Sequence, residues 1–140
     1  MKYFLFLLFS LSSLSAYDTV DRYVDFINQI GRGENVLQSN VEEIFEPDCS
    51  KIFNGNLVAK DSESIVADLL AIYRNYGSWQ IHVHEVLDAI DAYVIRISIE
   101  SQTLGFNTAI VILRTNIEDK ITEINEVFSP VPNEYEFVRY

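Results

Sequence analysis

The sequence predicts an α+β domain in which three helices from the first half of the chain cover an antiparallel sheet built from the second half. Two observations predict this arrangement. Apolar residues recur at helical spacing in three segments before Gly77, whereas from Trp79 onward apolar and polar residues alternate with the period of a β-strand. The connections between the alternating segments are short, which indicates successive antiparallel hairpins.

An apolar segment precedes this domain. Lys2 is followed by an apolar run over residues 3–9 and by small residues up to Ala16, which is the layout of a secretory signal. A core helix or a retained membrane anchor is the alternative for this segment. We expect an exported protein, periplasmic or secreted, with a signal at 1–16, one domain at 17–129 and an irregular tail at 130–140. No later segment is apolar for long enough to predict a membrane span in the mature chain.

The first two helices have recognisable ends. Asp18 or Thr19 is a suitable cap for the first helix, which is predicted to end at Gly31. The second is predicted to be capped by Asn35 and to end at Pro47, since the residue before a proline disfavours helical geometry.

A small hairpin is predicted between the second and third helices. Residues 50–53 and 57–59 have the composition of two short strands. Asn54-Gly55 favours a tight turn between them, because both residues tolerate positive φ angles.

The third helix has the widest apolar stripe. Asp61 or Ser62 is its predicted cap, and Gly77 is its predicted end. Four longer strands are predicted after it, at residues 79–87, 93–101, 108–114 and 120–128.

Charge and composition exclude several classes of function. The formal net charge of −11 repels phosphate backbones, so nucleic acid is not an expected partner. Cys49 is the single cysteine, which rules out an intramolecular disulfide, and we interpret it as a small packed side chain rather than a nucleophile. The five glycines are scattered singly and form no phosphate-binding or dinucleotide motif, so no cofactor is expected.

The order of elements resembles that of the nuclear-transport-factor-2-like superfamily, which includes SnoaL-like and ketosteroid-isomerase-like families. The resemblance covers residues 19–128. It is carried by Phe45-Glu46-Pro47-Asp48, the Asn54-Gly55 turn, the helix at 65–76, Gly77-Ser78-Trp79 and Ile121-Thr122-Glu123-Ile124. The resemblance implies a strongly curved sheet wrapped around the helices as a cone, an apolar pocket at its open end, and a homodimer formed through the sheet.

Two departures weaken the enzymatic side of this resemblance. Ketosteroid-isomerase-like enzymes have a carboxylate base late in the first strand, and residues 52–54 of this chain offer none. Epoxide-hydrolase-like members carry an arginine and an acid two residues apart on a strand of the meander. Here that spacing gives Arg96 and Ser98, with the acid displaced to Glu100.

The hairpin at 79–101 supplies the candidate catalytic residues. Strand alternation turns its odd-numbered side chains toward the helices, and it puts His82, His84, Arg96 and Glu100 together on the opposite face. With the turn near Ile90, His84 is expected opposite Arg96 and His82 opposite Ser98. A histidine near an arginine suits acid–base chemistry, but a solvated or partner-facing row of polar pairs has the same pattern. Two histidines are too few for a metal site, so no metal is predicted.

Aromatic residues supply the candidate ligand contacts. We name Tyr23, Phe53 and Trp79, although an ordinary core would use the same residue types. Glu123 and Glu126 on the last strand could supply a carboxylate to the same pocket, or be solvated at its rim.

The sequence therefore predicts an exported, non-enzymatic domain that binds a small, largely apolar molecule or serves as a dimeric interaction module. Two alternatives stay open. One is a cofactor-independent isomerase, dehydratase or hydrolase that uses the histidine and arginine cluster. The other is a secreted protein that binds a partner through the exposed sheet face.

Overall fold

The computed structural model describes residues 18–130. The expected signal at 1–16 and the tail after residue 130 lie outside the described residues. Three helices occupy the first half: α1 over residues 18–31, α2 over Gln38–Ile44 and α3 over Ser62–Tyr76. The six strands are β1 (Phe45–Phe53), β2 (Asn56–Ala59), β3 (Trp79–Asp88), β4 (Ala92–Ser101), β5 (Gly105–Thr115) and β6 (Ile121–Pro130).

The strands form one curved, open sheet in the order β2-β1-β6-β5-β4-β3. The predicted meander from β3 to β6 is confirmed, because each of its strands pairs antiparallel with the next. The sheet is nevertheless mixed, since β1 lies parallel to β6. This pairing brings the small hairpin of the first half to the end of the meander and makes β2 and β3 the edge strands.

The second helix and the first strand differ from their predicted limits. Leu37, rather than Asn35, is the N-cap of α2, and no side chain caps it. The helix already ends at Ile44, and Pro47 lies inside β1 instead of terminating a helix. The pairing of β1 with β6 is irregular between Phe45 and Ser50, where a proline without an N–H group is tolerated.

Two local predictions are confirmed in detail. The carboxylate of Asp61 accepts a hydrogen bond from the Ser64 amide at 2.7 Å, which caps α3, and Gly77 ends the helix at a φ of 77°. Asn54 and Gly55 have φ angles of 47° and 82° in the turn between β1 and β2.

The hydrophobic core lies between the helices and one face of the sheet. In β4 the odd-numbered side chains turn toward it, as predicted. Buried residues from the helices and the central strands include Tyr23, Ile30, Ile65, Ile95, Val111, Leu113 and Ile124. The opposite face, called here the outer sheet face, has no helix of the described chain upon it.

A bulge in β3 changes the predicted hairpin register. His82 pairs with Ser98 as predicted, but Glu85, not His84, lies opposite Arg96. His84 is the additional residue of the bulge, so the alternation of β3 reverses beyond it: Val86 packs against the core and Leu87 is exposed. The expectation that odd-numbered residues turn inward is therefore right for Ile81 and wrong for Leu87.

Candidate functional site

An open groove of about 600 Å³ lies at one end of the sheet. We call it the Trp79 groove. The end of α1 contributes Asn28, Gly31 and Arg32, and the remaining wall comes from the start of β3, the end of β4 and the start of β5. The groove therefore joins the first helix to the strands that end nearest to it.

Cross-strand pairing explains why a concavity forms here. Trp79 lies opposite Ser101, which in turn lies opposite Gly105. A large indole thus has only a hydroxymethyl group and a hydrogen atom as neighbours across the sheet, which leaves open space beside it. In the next row Gln80 pairs with Glu100 and Glu100 with Phe106.

Trp79 is held in place by two neighbours. A Cβ atom on Gly31 would meet the Trp79 carbonyl oxygen and would lie 2.8 Å from indole Nε1, so only glycine permits this approach of α1. The Tyr73 ring packs edge-on against the indole, with ring centroids 6.1 Å apart and an interplanar angle of 66°. Trp79 is half-buried and presents a fixed aromatic surface to the groove.

Asn28 fixes the end of α1 to the edge strand. Its Nδ2 donates to the Ile81 carbonyl at 3.1 Å, and its Oδ1 accepts from the Ile81 amide at 2.7 Å. Because β3 is an edge strand, Ile81 has no strand partner on this side within the described chain. The Asn28 carboxamide makes the two hydrogen bonds that a neighbouring strand would otherwise make. This contact fixes the wall of the groove.

A second polar feature lies inside the cone. Lys51 on β1 reaches Asp68 on α3 at 3.0 Å and Glu126 on β6 at 3.5 Å, with only 4% of the lysine side chain exposed. Tyr23 donates its hydroxyl to Glu126 at 3.2 Å. We call these four residues the Lys51 cluster. Burial, reinforced by the Glu126 carboxylate, raises the pKa of the Tyr23 phenol well above its ordinary value.

The Lys51 cluster has the character of a structural network. Its two carboxylates share one ammonium group, and no buried side-chain nitrogen or oxygen of the described residues is left without a hydrogen-bond partner. Such satisfied networks rigidify a core. Glu126, predicted either for the pocket or for its rim, is a buried member of this network, whereas Glu123 is half-buried and pairs with Arg114 at 3.4 Å.

All four candidate catalytic residues lie on the outer sheet face, where His82 Nε2 is 4.0 Å from Glu100 Oε2. His82 is 43% exposed and Arg96 is 53% exposed. His84 contacts the Ser98 hydroxyl at 2.8 Å, and Arg96 pairs with Glu85 at 3.4 Å. Glu100 is 63% exposed and is the one member of the four that borders the Trp79 groove. Among the residues that the structure describes, no group of three or more potential metal ligands is present.

The three candidate ligand contacts are not brought together. Trp79 lines the groove, Tyr23 is buried in the Lys51 cluster, and Phe53 packs against Phe128 with ring centroids 5.2 Å apart. Sequence reasoning missed Asn28 as a wall of the groove and missed Phe106, which was placed in a connection. It interpreted Gly31 only as the end of α1. A glycine at the last turn of a helix is also a signal that another segment approaches closely there.

Comparison with known proteins finds relationships in structure but not in sequence. No sequence-family model matches the chain, and no curated protein is significantly similar to it. A protein from Jannaschia sp. CCS1 assigned to the SnoaL-like polyketide cyclases superposes with a TM-score of 0.67 at 14% identity, over 81% of this chain and 85% of the other. An isomerase assigned to the SnoaL-like family from Agrobacterium tumefaciens gives 0.67 at 9% identity, over 81% and 96%.

An NTF2-like protein of unknown function from Exiguobacterium sp. 255-15 gives a TM-score of 0.64 at 15% identity, over 81% of this chain and 99% of the other. Together with the helix order and the mixed, curved sheet, these neighbours show that the protein has a cone-shaped α+β fold. The chain has the NTF2-like fold, and the superfamily resemblance of its sequence is confirmed at the level of fold. Among the described residues, no helix is both long and apolar enough to cross a membrane.

Proposed function

We propose that this protein is an exported binding module that holds a small organic molecule in the Trp79 groove. The observation that carries the proposal is a concave site of about 600 Å³ with a tryptophan held against Gly31 and Tyr73. Small-molecule sites in proteins span roughly 300 to 1,000 Å³. Trp79 and Phe106 supply the apolar surface, so the ligand is expected to have an apolar face.

The lining of the groove favours binding over catalysis. Glu100 is the single carboxylate among its described residues, and neither histidine borders it. A general acid or base acts best in a site that shifts its proton affinity by burial or by neighbouring charge. The Glu100 side chain is 63% exposed, so it is not enclosed in this way, and the His82 ring that lies 4.0 Å from it does not line the groove.

Trp79 provides the test, because it is the only tryptophan in the chain. Fluorobenzyl alcohol and related small aromatic alcohols should change the Trp79 emission saturably. The fluorine NMR signal of fluorobenzyl alcohol should broaden when it binds. Phe106→Ser should weaken this binding, since it removes apolar surface from the groove. Ile117→Ser is the matched control, because it also removes an exposed apolar side chain but lies in the connection between β5 and β6. Unchanged emission and unbroadened spectra across the set would refute ligand binding.

A second candidate function, assembly into a homodimer, is supported by the outer sheet face. Ile110 and Val127 are paired on β5 and β6, and both are exposed. Val94 and Ile112 are paired beside them and are half-buried. Exposed apolar neighbours on an uncovered sheet face are typical of protein contacts.

The outer face can be tested separately from the groove. Sedimentation equilibrium should give twice the monomer mass, and Ile110→Lys combined with Val127→Lys should return the protein to monomers. Ile117→Lys should stay dimeric, since its side chain is exposed in a distant connection. A wild-type protein that sediments as a monomer at high micromolar concentration would rule out the dimer without affecting the groove.

A further inference from the structure

We propose that the ligand of the Trp79 groove is a neutral sugar, an inference that rests on the proposed function and narrows it. Five of the eleven lining residues carry a carboxamide or a hydroxyl group, and only Trp79 and Phe106 carry large apolar side chains. A ligand that suits this lining must present hydroxyl groups as well as an apolar face. A pyranose ring has both, because its C–H groups cluster on one face while its hydroxyl groups project around the edge.

The aromatic part of the groove suits the face of such a ring. The indole of Trp79 is held by Gly31 and Tyr73, so little side-chain freedom remains to be lost when a ligand packs on it. Small neighbours, Ser101 and Gly105, keep the space beside the indole open. Aromatic faces also attract weakly polarised C–H groups, which adds direction to the apolar contact.

Two carboxamides are placed to bind hydroxyl groups. Gln80 and Gln102 line the groove, and neither side chain is hydrogen-bonded to another residue of the described chain. Each offers two N–H donors and a carbonyl acceptor. Of the other three polar residues, Asn28 binds Ile81 and the Ser101 hydroxyl accepts from the Thr103 and Leu104 amides at 3.3 Å, whereas Ser78 offers a further hydroxyl group.

The charges of the groove favour a neutral ligand over an anionic one. Arg32 is its only cationic residue, and its guanidinium is bound to Glu34 through Nε at 2.5 Å and a second nitrogen at 3.3 Å. Glu100 and the net charge of −11 add repulsion toward anions. An organic cation would be attracted to Glu100 and to the indole face, but it would leave the two glutamine side chains without a role.

The experiment compares four probes on the full chain: methyl glucoside, maltotriose, choline and fluorobenzyl alcohol. A sugar should change Trp79 emission saturably. Gln80→Leu and Gln102→Leu should each weaken sugar binding by about three- to tenfold, the value of a hydrogen bond, and leave fluorobenzyl alcohol binding unchanged. Gln38→Leu is the matched control, because Gln38 is also exposed but lies on α2, away from the groove. Circular dichroism confirms that the variants fold.

The outcomes separate this inference from the proposed function. Binding of choline or fluorobenzyl alcohol without binding of either sugar overturns the sugar inference and leaves a ligand-binding groove. Sugar binding that is unaffected by both glutamine substitutions also overturns it, since the hydroxyl contacts would lie elsewhere. Failure of all four probes to bind overturns the sugar inference and the proposed function together.

Discussion

A Cβ atom on Gly31 would lie 2.8 Å from both Cδ1 and Nε1 of the Trp79 indole. The last turn of α1 and the first residue of β3 therefore meet through a glycine, and the groove depends on that contact. Neither residue has a functional group that could catalyse a reaction. Each residue matters because its contact with the other fixes where α1 meets β3.

Gly31→Ala tests this contact. Alanine improves helix propensity by about 1 kcal/mol, but overpacking against a backbone carbonyl and an indole costs about 1 to 3 kcal/mol, so we expect a net loss of stability. Urea denaturation measures the loss, and a red shift of Trp79 emission reports displacement of the indole. A variant that is more stable than the wild type, with unchanged emission, would contradict this account.

Lys51→Met tests the buried ionic cluster. The substitution leaves the Asp68 and Glu126 carboxylates facing each other without the ammonium group between them. Removing one partner of a buried ion pair costs about 3 to 5 kcal/mol, and we expect the lower end because Asp68 is partly exposed. The lysine at position 60 is exposed, so Lys60→Met should change the free energy of unfolding by less than about 0.5 kcal/mol.

Adding Glu126→Gln to Lys51→Met should recover part of the loss, since one of the two unpaired charges is then removed. Equal stability of Lys51→Met and Lys60→Met would show that the cluster contributes nothing measurable. Recovery by the double variant would distinguish electrostatic repulsion from a simple packing defect.

The Cys49 thiol should be unreactive in the folded protein. It is fully buried, and burial, with smaller contributions from Asp48 and other nearby carboxylates, raises its pKa to about 12. The thiolate is the reactive form, so iodoacetamide at neutral pH should modify Cys49 only after unfolding in urea. Rapid modification of the native protein would contradict the buried placement.

The same shift predicts an alkaline loss of stability. An unfolded cysteine ionises near pH 8.5, while the folded thiol keeps its proton until about pH 12. Between these values the unfolded state has fewer protons, so the free energy of unfolding falls as pH rises. Cys49→Ala should flatten this part of the pH profile, and Tyr23, whose pKa is also raised, should account for the remaining decline at higher pH.

Local signals predicted some elements well. The cap at Asp61 and the end at Gly77 lie next to the helix that they delimit, so α3 was predictable within a residue. The Asn54-Gly55 turn was predictable for the same reason, because its positive φ angles depend on those two residues. The resemblance carried by the order of elements extended these local predictions to the whole fold.

The features that escaped prediction depend on contacts between distant residues. A single additional residue at His84 shifts the register of β3, and nothing in the residues around it distinguishes a bulge from a regular strand. The parallel pairing of β1 with β6 joins opposite ends of the domain. The groove itself requires Gly31 and Asn28 to meet β3, about fifty residues further along the chain.

Export can be tested on the protein itself. Cleavage after Ser15 or Ala16 predicts a mature chain that starts at Ala16 or Tyr17. Intact mass spectrometry of the protein recovered outside the cytoplasm of a bacterial host would identify the cleavage site. Replacing Leu7 and Leu8 by arginine should block export, because charge interrupts the apolar run. Recovery of the wild-type protein from the host cytoplasm with residues 1–16 still attached would contradict the predicted signal.

Asn28→Ala tests how α1 completes the edge of the sheet. Asn28 supplies both hydrogen bonds that Ile81 would otherwise make to a neighbouring strand, so alanine leaves one N–H and one carbonyl group to water at the wall of the groove. We expect a loss of about 1 to 2 kcal/mol and faster hydrogen exchange of the Ile81 amide. Asn75→Ala is the matched control, because Asn75 is exposed near the end of α3, and it should change the stability by less than about 0.5 kcal/mol. If the Ile81 amide stays as protected in Asn28→Ala as in the control, the carboxamide does not secure this edge, and the wall of the groove must be held by the Gly31 contact alone.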